Sequence, residues 1–433
     1  MLIGCTIAWF AAPVAAEPAD SLTVEQCVAL ARHRAPAVVA ADLAGQAAAF
    51  EAAALAKNRR PDLAFVGRAL IAPKGFYDPV ITNLGEYETK IALDYALLDG
   101  GARARARARG ALDLAVARLE AAVQARDAGL DAADLALKIL RLSEVEAAQR
   151  QSLDWIDRLV LLLRGAVRGG ARSTTDSVRI ALERNSAWTA LETTLADRRT
   201  AEIDLATTIG LPPDTTVAIR PPESPPRPPD AADSLRVLAS AASQPEIAQA
   251  KVEEERARLD LVEARATRAP TVDLTLDGGL SGADLTRTVP DELRAEDPNA
   301  TFADRLRRDL GASAEIRVRA PITSAGAGAR VAGKRVTVEA ARRKTAAAAA
   351  TQQKIALEIL VRWSSAYRRL GIARSAGVGA GQNLLRVKSL YAGGAIQLLD
   401  LLDARRVDQE AQQALAEARE ESRSAQFRAE DRP

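Results

Sequence analysis

Two aspartates near the end of the chain, Asp400 and Asp403, lie three residues apart within a leucine-rich stretch. On a helix this spacing puts both carboxylates on one face, and the flanking leucines leave them a single exposed stripe. Carboxylates gathered in rings attract cations, repel one another and tune conductance through a pore. The alternative is that both acids are solvated charges in the first turn of a helix, where the helix dipole favours them.

A Gly-Gly pair, Gly393 and Gly394, comes just before these acids and separates two helical patterns. Glycine adopts the left-handed conformations that a tight reversal needs. The same arrangement occurs earlier at Gly169, Gly170 and Asp176, where Asp176 lies 224 residues before Asp400 (400 minus 176). The chain is therefore predicted to be duplicated, with one sharp turn in each half. For Asp176 alone, helix capping is the favoured interpretation.

The other residue types give no catalytic pattern. His33 is the single histidine, and no Cys, His and carboxylate cluster has the spacing of metal ligands. The sequence shows no nucleophile elbow, no phosphate-binding loop and no paired catalytic carboxylates. We therefore expect no enzyme activity, no metal and no cofactor.

Charge gives no argument for nucleic acid as a partner, since 59 Lys and Arg stand against 57 Asp and Glu. Four alternate arginines, at 103, 105, 107 and 109, form the densest basic run. On a helix, residues two apart point in nearly opposite directions, so these arginines form no single basic stripe. The expectation for this run is a solvated helix whose side chains partly reach towards lipid phosphates.

The composition favours a mostly helical protein, because alanine, leucine, arginine and glutamate abound while aromatic residues make up 3%. Residues 1–16 have the apolar run and small-residue cleavage site of a secretory signal peptide. Cys5 belongs to that segment, so Cys27 is the one cysteine expected in the mature chain. No stretch of about 18 apolar residues follows, which argues against a helical membrane span.

Four segments, at about 62–72, 88–98, 271–280 and 313–322, have the pattern of β-strands. In the second segment Ile91, Leu93 and Tyr95 alternate with the polar Lys90 and Asp94. Strands with one apolar and one polar face need a lipid-like medium on one side and water on the other. Four strands are too few to close a barrel, so this pattern predicts an oligomer.

The order of patterns is the same in both halves: helix, strand pair, very long helix, sharp turn, helix. We place the first repeat at 17–210, with its turn at 165–176, and the second at 234–433, with its turn at 390–403. A proline-rich linker, 211–233, separates them and is expected to be stiff and solvated. Residues 278–311 are expected to form a long polar loop between the strands of the second repeat.

Taken in order, these motifs resemble the TolC-like outer-membrane efflux proteins over essentially the whole mature chain. The residues that carry the resemblance are Asp99, Gly100 and Gly101, which leave the second strand, and the duplicated glycine turns followed by acids. The resemblance implies a mainly α-helical homotrimer with a twelve-stranded β-barrel in the outer membrane, continued by a periplasmic α-helical barrel. It also implies an exit duct of a tripartite efflux or type I secretion system, opened by a periplasmic adaptor and an inner-membrane transporter.

The resemblance further implies roles for individual residues. Asp400, Asp403 and Asp176 would line the periplasmic constriction, and Tyr391 would take part in closing it. Glycines 169, 170, 393 and 394 would form the tips that dock the adaptor. Family members carry an arginine four residues before the first acid, where this chain has Ile396.

Two other classes of protein remain open at this stage. A periplasmic adaptor would also contain long antiparallel helices, but it would lack two alternating strand pairs flanked by matching helices. A cell-envelope coiled-coil scaffold without a transport role is the third interpretation. The sequence does not identify the exported substrate or the particular partners.

Overall fold

The computed structural model of the chain describes residues 21–57, 61–70, 86–168, 173–283, 288–322 and 325–432. The predicted signal peptide and Cys5 lie outside these ranges. The described chain is mostly helical with one small sheet. In chain order its elements are α1 (Val24–Arg34), α2 (Pro36–Lys57), β1 (Asp62–Leu70), β2 (Glu86–Asp99), α3 (Ala102–Arg168), α4 (Thr174–Thr208), α5 (Ala231–Ser240), α6 (Pro245–Ala266), β3 (Thr271–Ala283), α7 (Asp291–Glu296), α8 (Phe302–Asp309), β4 (Leu310–Arg319), α9 (Ala327–Ala392) and α10 (Leu398–Glu430).

Two helices are very long, with 67 residues in α3 and 66 in α9. Neither contains a proline, and both are rich in alanine and arginine, which favour helix. Proline is found instead at a helix start, where Pro36 begins α2 directly after Ala35. Proline is tolerated there because the backbone N–H that it lacks would have no partner in the first turn of a helix. The joint expected at Pro36 is therefore a break between α1 and α2.

The four strands form one antiparallel sheet in the order β1-β2-β3-β4. Within each repeat the strands pair as expected, Leu63 opposite Leu93 and Leu274 opposite Ile316. The sheet also contains a pairing that the sequence pattern did not show, because β2 lies next to β3 and joins the two repeats. This pairing places β1 and β4 at opposite edges of the sheet.

The register gives the sheet two different faces. One face carries apolar side chains on every strand: Leu63, Phe65, Ile91, Leu93, Tyr95, Val272, Leu274, Leu276, Leu310, Ile316 and Val318. The opposite face carries polar and charged residues, among them Glu88, Lys90, Asp94, Asp273, Asp277, Glu315 and Arg317. Phe65 is 75% exposed and Ile316 65% exposed, so the apolar face is uncovered within the single chain.

The chain forms two compact units. The first comprises Met1–Gly45, Ala117–Gln249 and Ala346–Pro433, and the second comprises Gln46–Val116 and Ala250–Thr345. The first unit contains three apolar clusters. One packs α1 against α3 and α4 around Cys27, Ala132 and Leu205; another packs α3, α4, α9 and α10 around Ile156 and Leu401; the third surrounds Trp363.

In the second unit, polar contacts link α6 to both long helices. Arg109 of α3 pairs with Asp260 of α6 at 2.8 Å, and Lys334 of α9 reaches the same carboxylate at 2.7 Å. The hydrogen bond from Lys334, with the charge of Arg109, lowers the pKa of Asp260. On the other side of α3, Gly110 allows α2 to approach closely, since a Cβ there would lie 2.7 Å from Leu55 Cδ1. The helices thus contact one another in the order α2, α3, α6, α9.

The proline-rich segment after α4 is mostly exposed, and it is also anchored at specific residues. Leu22 donates its backbone N–H to the Ala218 carbonyl at 2.9 Å, and Val217 is buried. Further on, Trp363 donates through Nε1 to the Arg227 carbonyl at 3.0 Å, while the Arg227 guanidinium lies 5.3 Å from the centre of the Trp363 ring. Proline gives the segment stiffness, but specific contacts determine its path.

The polar loop expected at 278–311 was wrong in extent. Strand β3 continues to Ala283, and β4 already begins at Leu310. Between them lie the short helices α7 and α8, and α8 starts with a capping box between Thr301 and Asp304. Gly278, Gly279 and Gly311, at the ends of the expected loop, lie inside paired strands. Glycine is needed at 279, because a Cβ there would lie 2.1 Å from the Thr89 carbonyl oxygen.

One helical stretch among the described residues, Val24–Lys57, is long and apolar enough to cross a membrane by length and composition, with a mean hydropathy of 1.3. This stretch is not an uninterrupted run of about 18 apolar residues, which is the pattern that was found to be missing from the sequence, since charged residues interrupt it. The cause of its mean hydropathy is the alanine content of α2, which raises hydropathy without large apolar side chains. The match is weak evidence for a span, because it lies near the N-terminus and α1 buries Val24, Cys27, Val28 and Ala31 in the first apolar cluster.

Candidate functional site

The turn between α9 and α10 is closed by a Schellman motif. Ala395 donates its N–H to the Leu390 carbonyl at 2.9 Å, and Gly394 donates to the Tyr391 carbonyl at 3.0 Å. Gly394 has a φ of 75°, in the left-handed region that favours glycine, whereas Gly393 is not among the positive-φ residues. Of the two glycines singled out in the sequence, the structure therefore requires glycine only at 394.

Asp400 lies in the first turn of α10, where its carboxylate accepts a hydrogen bond from the Gln397 N–H at 3.0 Å. Asp403, one turn further, pairs with Arg406 at 2.8 Å, and Arg406 also contacts Glu410 at 2.8 Å. Both aspartates are exposed. The structure thus brings the two acids to one exposed stripe, but Asp400 also caps the helix and Asp403 has a cation beside it.

Tyr391 belongs to the last turn of α9 and packs against the apolar cluster that surrounds the turn. Leu398, Leu401 and Leu402 of α10 insert into the same cluster, together with Ile156 of α3. These leucines therefore pack the start of α10 against the long helices and leave the carboxylates of Asp400 and Asp403 on the exposed side.

The corresponding turn of the first repeat is described in part. Gly169 and Gly170 lie outside the described residues. Helix α4 begins at Thr174 after Ser173, whose hydroxyl accepts a hydrogen bond from the Thr175 N–H at 3.1 Å. Asp176, the third residue of α4, is half-buried in this first turn, and Ser173 rather than Asp176 makes the cap contact.

The strand-to-helix turn predicted at Asp99, Gly100 and Gly101 is a compact hydrogen-bonded unit. The Asp99 carboxylate accepts from the Gly101 N–H at 2.9 Å and from the Arg103 N–H at 2.8 Å, so it caps the start of α3. Gly100 and Gly101 have φ values of 58° and 83°. Both glycines are required here, because residues with a Cβ rarely adopt this conformation.

The alternate arginines at the start of α3 are engaged individually. Arg103 lies over the Tyr95 ring at 5.2 Å, Arg105 donates to the Gly100 carbonyl at 2.8 Å, and Arg109 pairs with Asp260. The expectation that they form no single basic surface agrees with these contacts. These arginines were expected to be mainly solvated, but Arg103, Arg105 and Arg109 each contact another group of the protein.

The polar face of the sheet is cross-linked by its own side chains. Thr275 donates to Asp94 at 2.8 Å, and Lys90 lies 3.0 Å from Glu88 and 3.7 Å from Asp277. The contacts of Thr275 with Asp94 and of Lys90 with Asp277 join β2 to β3, whereas that of Lys90 with Glu88 lies within β2. A polar face of this kind is suited to water, whereas the exposed apolar face is suited to lipid.

Arg405, which was not among the predicted site residues, lies in the apolar cluster beside the α9–α10 turn and is 5% exposed. A signal was present, because Arg405 follows Leu401 by four residues and Leu402 by three, on the face that α10 buries. Arginine was not considered a buried residue, since it is almost never fully buried unless it is paired.

No protein-family model and no curated protein matches the chain. Solved structures do. The chain is similar to a membrane protein from Pseudomonas aeruginosa, with a TM-score of 0.75 and 18% identity over 98% of this chain and 99% of that chain. It is similar to the CmeC outer membrane channel of Campylobacter jejuni, with a TM-score of 0.73 and 14% identity over 99% and 93% of the two chains. It is also similar to the outer membrane protein VceC from Vibrio cholerae, with a TM-score of 0.70 and 17% identity over 94% and 95%.

The chain therefore has the fold of TolC-like outer-membrane channels, and the resemblance noted in its motifs is confirmed at the level of the fold. The mostly helical composition with a small antiparallel sheet belongs to that fold. The similarity extends over nearly the full length of both compared chains, so it includes the sheet, the long helices and the turns together.

Proposed function

We propose that the chain is a passive exit duct in the outer membrane. Three copies would combine their sheets into one twelve-stranded barrel. The observation that carries the proposal is the sheet itself, with a networked polar face, an uncovered apolar face and β1 and β4 at its two edges. The barrel's apolar outside would contact lipid and its polar inside would contact water.

The same geometry supports an assembly of several copies, for which we propose a trimer. Four strands cannot close a barrel, so β1 of one copy would pair with β4 of the next. The helices beside those edges also expose apolar side chains, Phe50 of α2 at 77% and Val336 of α9 at 69%. An interface of this head-to-tail kind closes into a ring when the rotation between copies allows it, as it would for three.

The proposal includes a direction of transport and an energy source. The long helices would extend into the periplasm, and the α9–α10 turn with Asp400 and Asp403 would form the narrow periplasmic entrance. A periplasmic adaptor would open this entrance by binding the open state better than the closed state. An inner-membrane transporter would supply the energy. The channel fold of the neighbours favours this function over that of an adaptor or an enzyme.

The deciding experiment is to extract the full-length protein with detergent from the outer-membrane fraction and image it by negative staining. Three-fold symmetric particles with a central pore would support the proposal, and step-like conductance in planar bilayers would extend it to function. Recovery of soluble monomers from the periplasmic fraction, without detergent, would contradict it and would make the adaptor the better interpretation.

A further inference from the structure

Arg405 is a buried cation beside the proposed entrance, and its environment is unusual. It lies on the face of α10 that packs into the cluster of α3, α4 and α9, where Leu401, Leu402 and Ala404 are also buried. Burial lowers the pKa of Arg405, although the charges of Glu183 and Asp408 act in the opposite direction. The arginine remains charged, since guanidinium does not lose its proton in proteins.

The main contact of Arg405 is with an aromatic ring. Its Cζ atom lies 5.2 Å from the centre of the Trp155 ring on α3. Lys388 of α9 lies 5.1 Å from the centre of the same ring. The Trp155 indole thus attracts one cation from α10 and one from α9. These two helices meet α3 next to the α9–α10 turn. Such contacts are strongest when the cation is desolvated, as Arg405 is.

The hydrogen-bonding capacity of Arg405 is poorly used. Its Nη1 atom lies 3.6 Å from Glu183 Oε1 on α4, which is beyond hydrogen-bond distance. Neither Nη1 nor Nη2 has a hydrogen-bond partner among the described residues. The Asp408 Oδ1 atom, one turn along α10, is also buried without one.

A buried charge with unmade hydrogen bonds raises the free energy of the arrangement that contains it. Another arrangement, in which the guanidinium reaches Glu183 fully or reaches water, would recover those bonds while giving up the ring contact. The ring contact and the hydrogen bonds to Glu183 therefore compete for the same guanidinium. A partner that binds the second arrangement better than the first shifts the equilibrium towards it.

We propose that Arg405 is a positioning residue for the entrance: its contact with Trp155 holds the first turns of α10, and with them Asp400 and Asp403, in the resting position. The inference rests on the proposed function of the turn as a channel entrance. Opening moves α10 away from α3 and breaks the contact between Arg405 and Trp155. Lys388 contributes a second, weaker attraction to the same ring from α9.

The test compares resting conductance of the purified full-length protein in planar bilayers, with no adaptor present. Arg405→Met keeps the length and apolar body of the side chain and removes its charge. We expect this variant and Trp155→Leu each to raise the ratio of open to closed channel by roughly 5- to 30-fold. Arg405→Lys keeps a cation and Trp155→Phe keeps a ring, so each of these variants should remain mostly closed. The double variant should show little more than either single change, since both remove one contact.

The matched control is Arg419→Met, an arginine further along α10 that also reaches α3, through Glu144 at 2.9 Å. It should leave resting conductance as in the wild type. Lys388→Met gives a milder perturbation, expected to show a smaller increase, should the Arg405 variants not assemble. Wild-type conductance in Arg405→Met, Trp155→Leu and Lys388→Met, whatever their melting temperatures, would overturn the inference and leave the proposed function intact. Absence of conductance in the wild type as well would overturn the proposed function itself.

Discussion

Asp176 and Asp400 lie 224 residues apart (400 minus 176), and each is the third residue of its helix, α4 or α10. Their surroundings at the helix start differ. The Asp400 carboxylate accepts a hydrogen bond from the Gln397 N–H before α10, whereas before α4 the Ser173 hydroxyl accepts one from the Thr175 N–H. An acid side chain thus closes the start of α10 and a hydroxyl closes that of α4, which allows charge and capping to be separated by experiment.

Removing the charge at Asp400 and Asp403 tests their proposed place at the entrance. We expect the double change to asparagine to raise resting conductance or to weaken block by divalent cations in planar bilayers, because rings of carboxylates attract cations. Asparagine keeps an oxygen acceptor for the Gln397 N–H, so the helix start should persist. The matched comparison is Asp176→Asn, which removes the charge of the corresponding acid in the other repeat. Unchanged conductance and block in the double variant would make both acids ordinary helix-start charges.

The two glycines of the α9–α10 turn should respond differently to alanine. Gly394 has a φ of 75°, and a side chain in this conformation costs about 1–2 kcal/mol. Gly394→Ala should therefore lower the unfolding midpoint of the detergent-purified protein. Gly393→Ala, the adjacent control, should leave the midpoint almost unchanged, because Gly393 is not a positive-φ residue and a Cβ there would come no closer than 3.6 Å to its neighbours. Equal losses in both variants would contradict the Schellman geometry.

The two faces of the sheet can be distinguished with a single charge. Ile316 lies on the apolar face of β4, and Ser313 lies on the polar face of the same strand. Ile316→Lys should destabilise the membrane-inserted protein by about 2–4 kcal/mol if that face contacts the bilayer core, and Ser313→Lys should cost much less. Urea midpoints of protein refolded into lipid vesicles measure the difference. A larger loss for Ser313→Lys would reverse the assignment of the faces.

Asp233 should give the stability of the protein a dependence on acid pH. Hydrogen bonding by Arg227, with help from the Asp230 N–H and the charge of Arg236, lowers its pKa from 3.8 to about 2. A carboxylate with a lowered pKa stabilises the folded state above its unfolded pKa and loses this contribution as pH falls through the folded value. The contribution, at most about 2 kcal/mol, should thus disappear between about pH 4 and pH 2.

The pH prediction is checked by following the unfolding midpoint of the wild type and of Asp233→Asn from pH 6 down to about pH 2. The two curves should approach each other at the acid end, because about half of the wild-type carboxyls are protonated when the pH equals their folded pKa. Asp214→Asn, an exposed residue of the same proline-rich segment, serves as the control and should run parallel to the wild type. A constant difference between wild type and Asp233→Asn would show that Arg227 does not hold the carboxylate in the folded protein.

Much of the fold is readable from local patterns. The alternation in β2 and the lack of proline across 102–168 predict a strand and a very long helix, because each depends on residues close in sequence. The Asp99 turn and the Gly394 turn are readable for the same reason, since a left-handed backbone has few solutions other than glycine. Glycine inside β3 and β4 misled the prediction, because pairing with a neighbouring strand overrode its local preference for a loop.

The sequence by itself determined the order of helices and strands, the two-faced strands and the position of Asp400 and Asp403 after a sharp turn. Only the tertiary structure decided that β2 pairs with β3 and that Trp363 anchors Arg227. It also decided that Arg405 is buried against Trp155. The physical reason is the range of the interactions. Backbone conformation and side-chain periodicity depend on neighbours in sequence, whereas pairing between repeats and burial of a charge depend on the free energy of contacts between residues far apart in the chain.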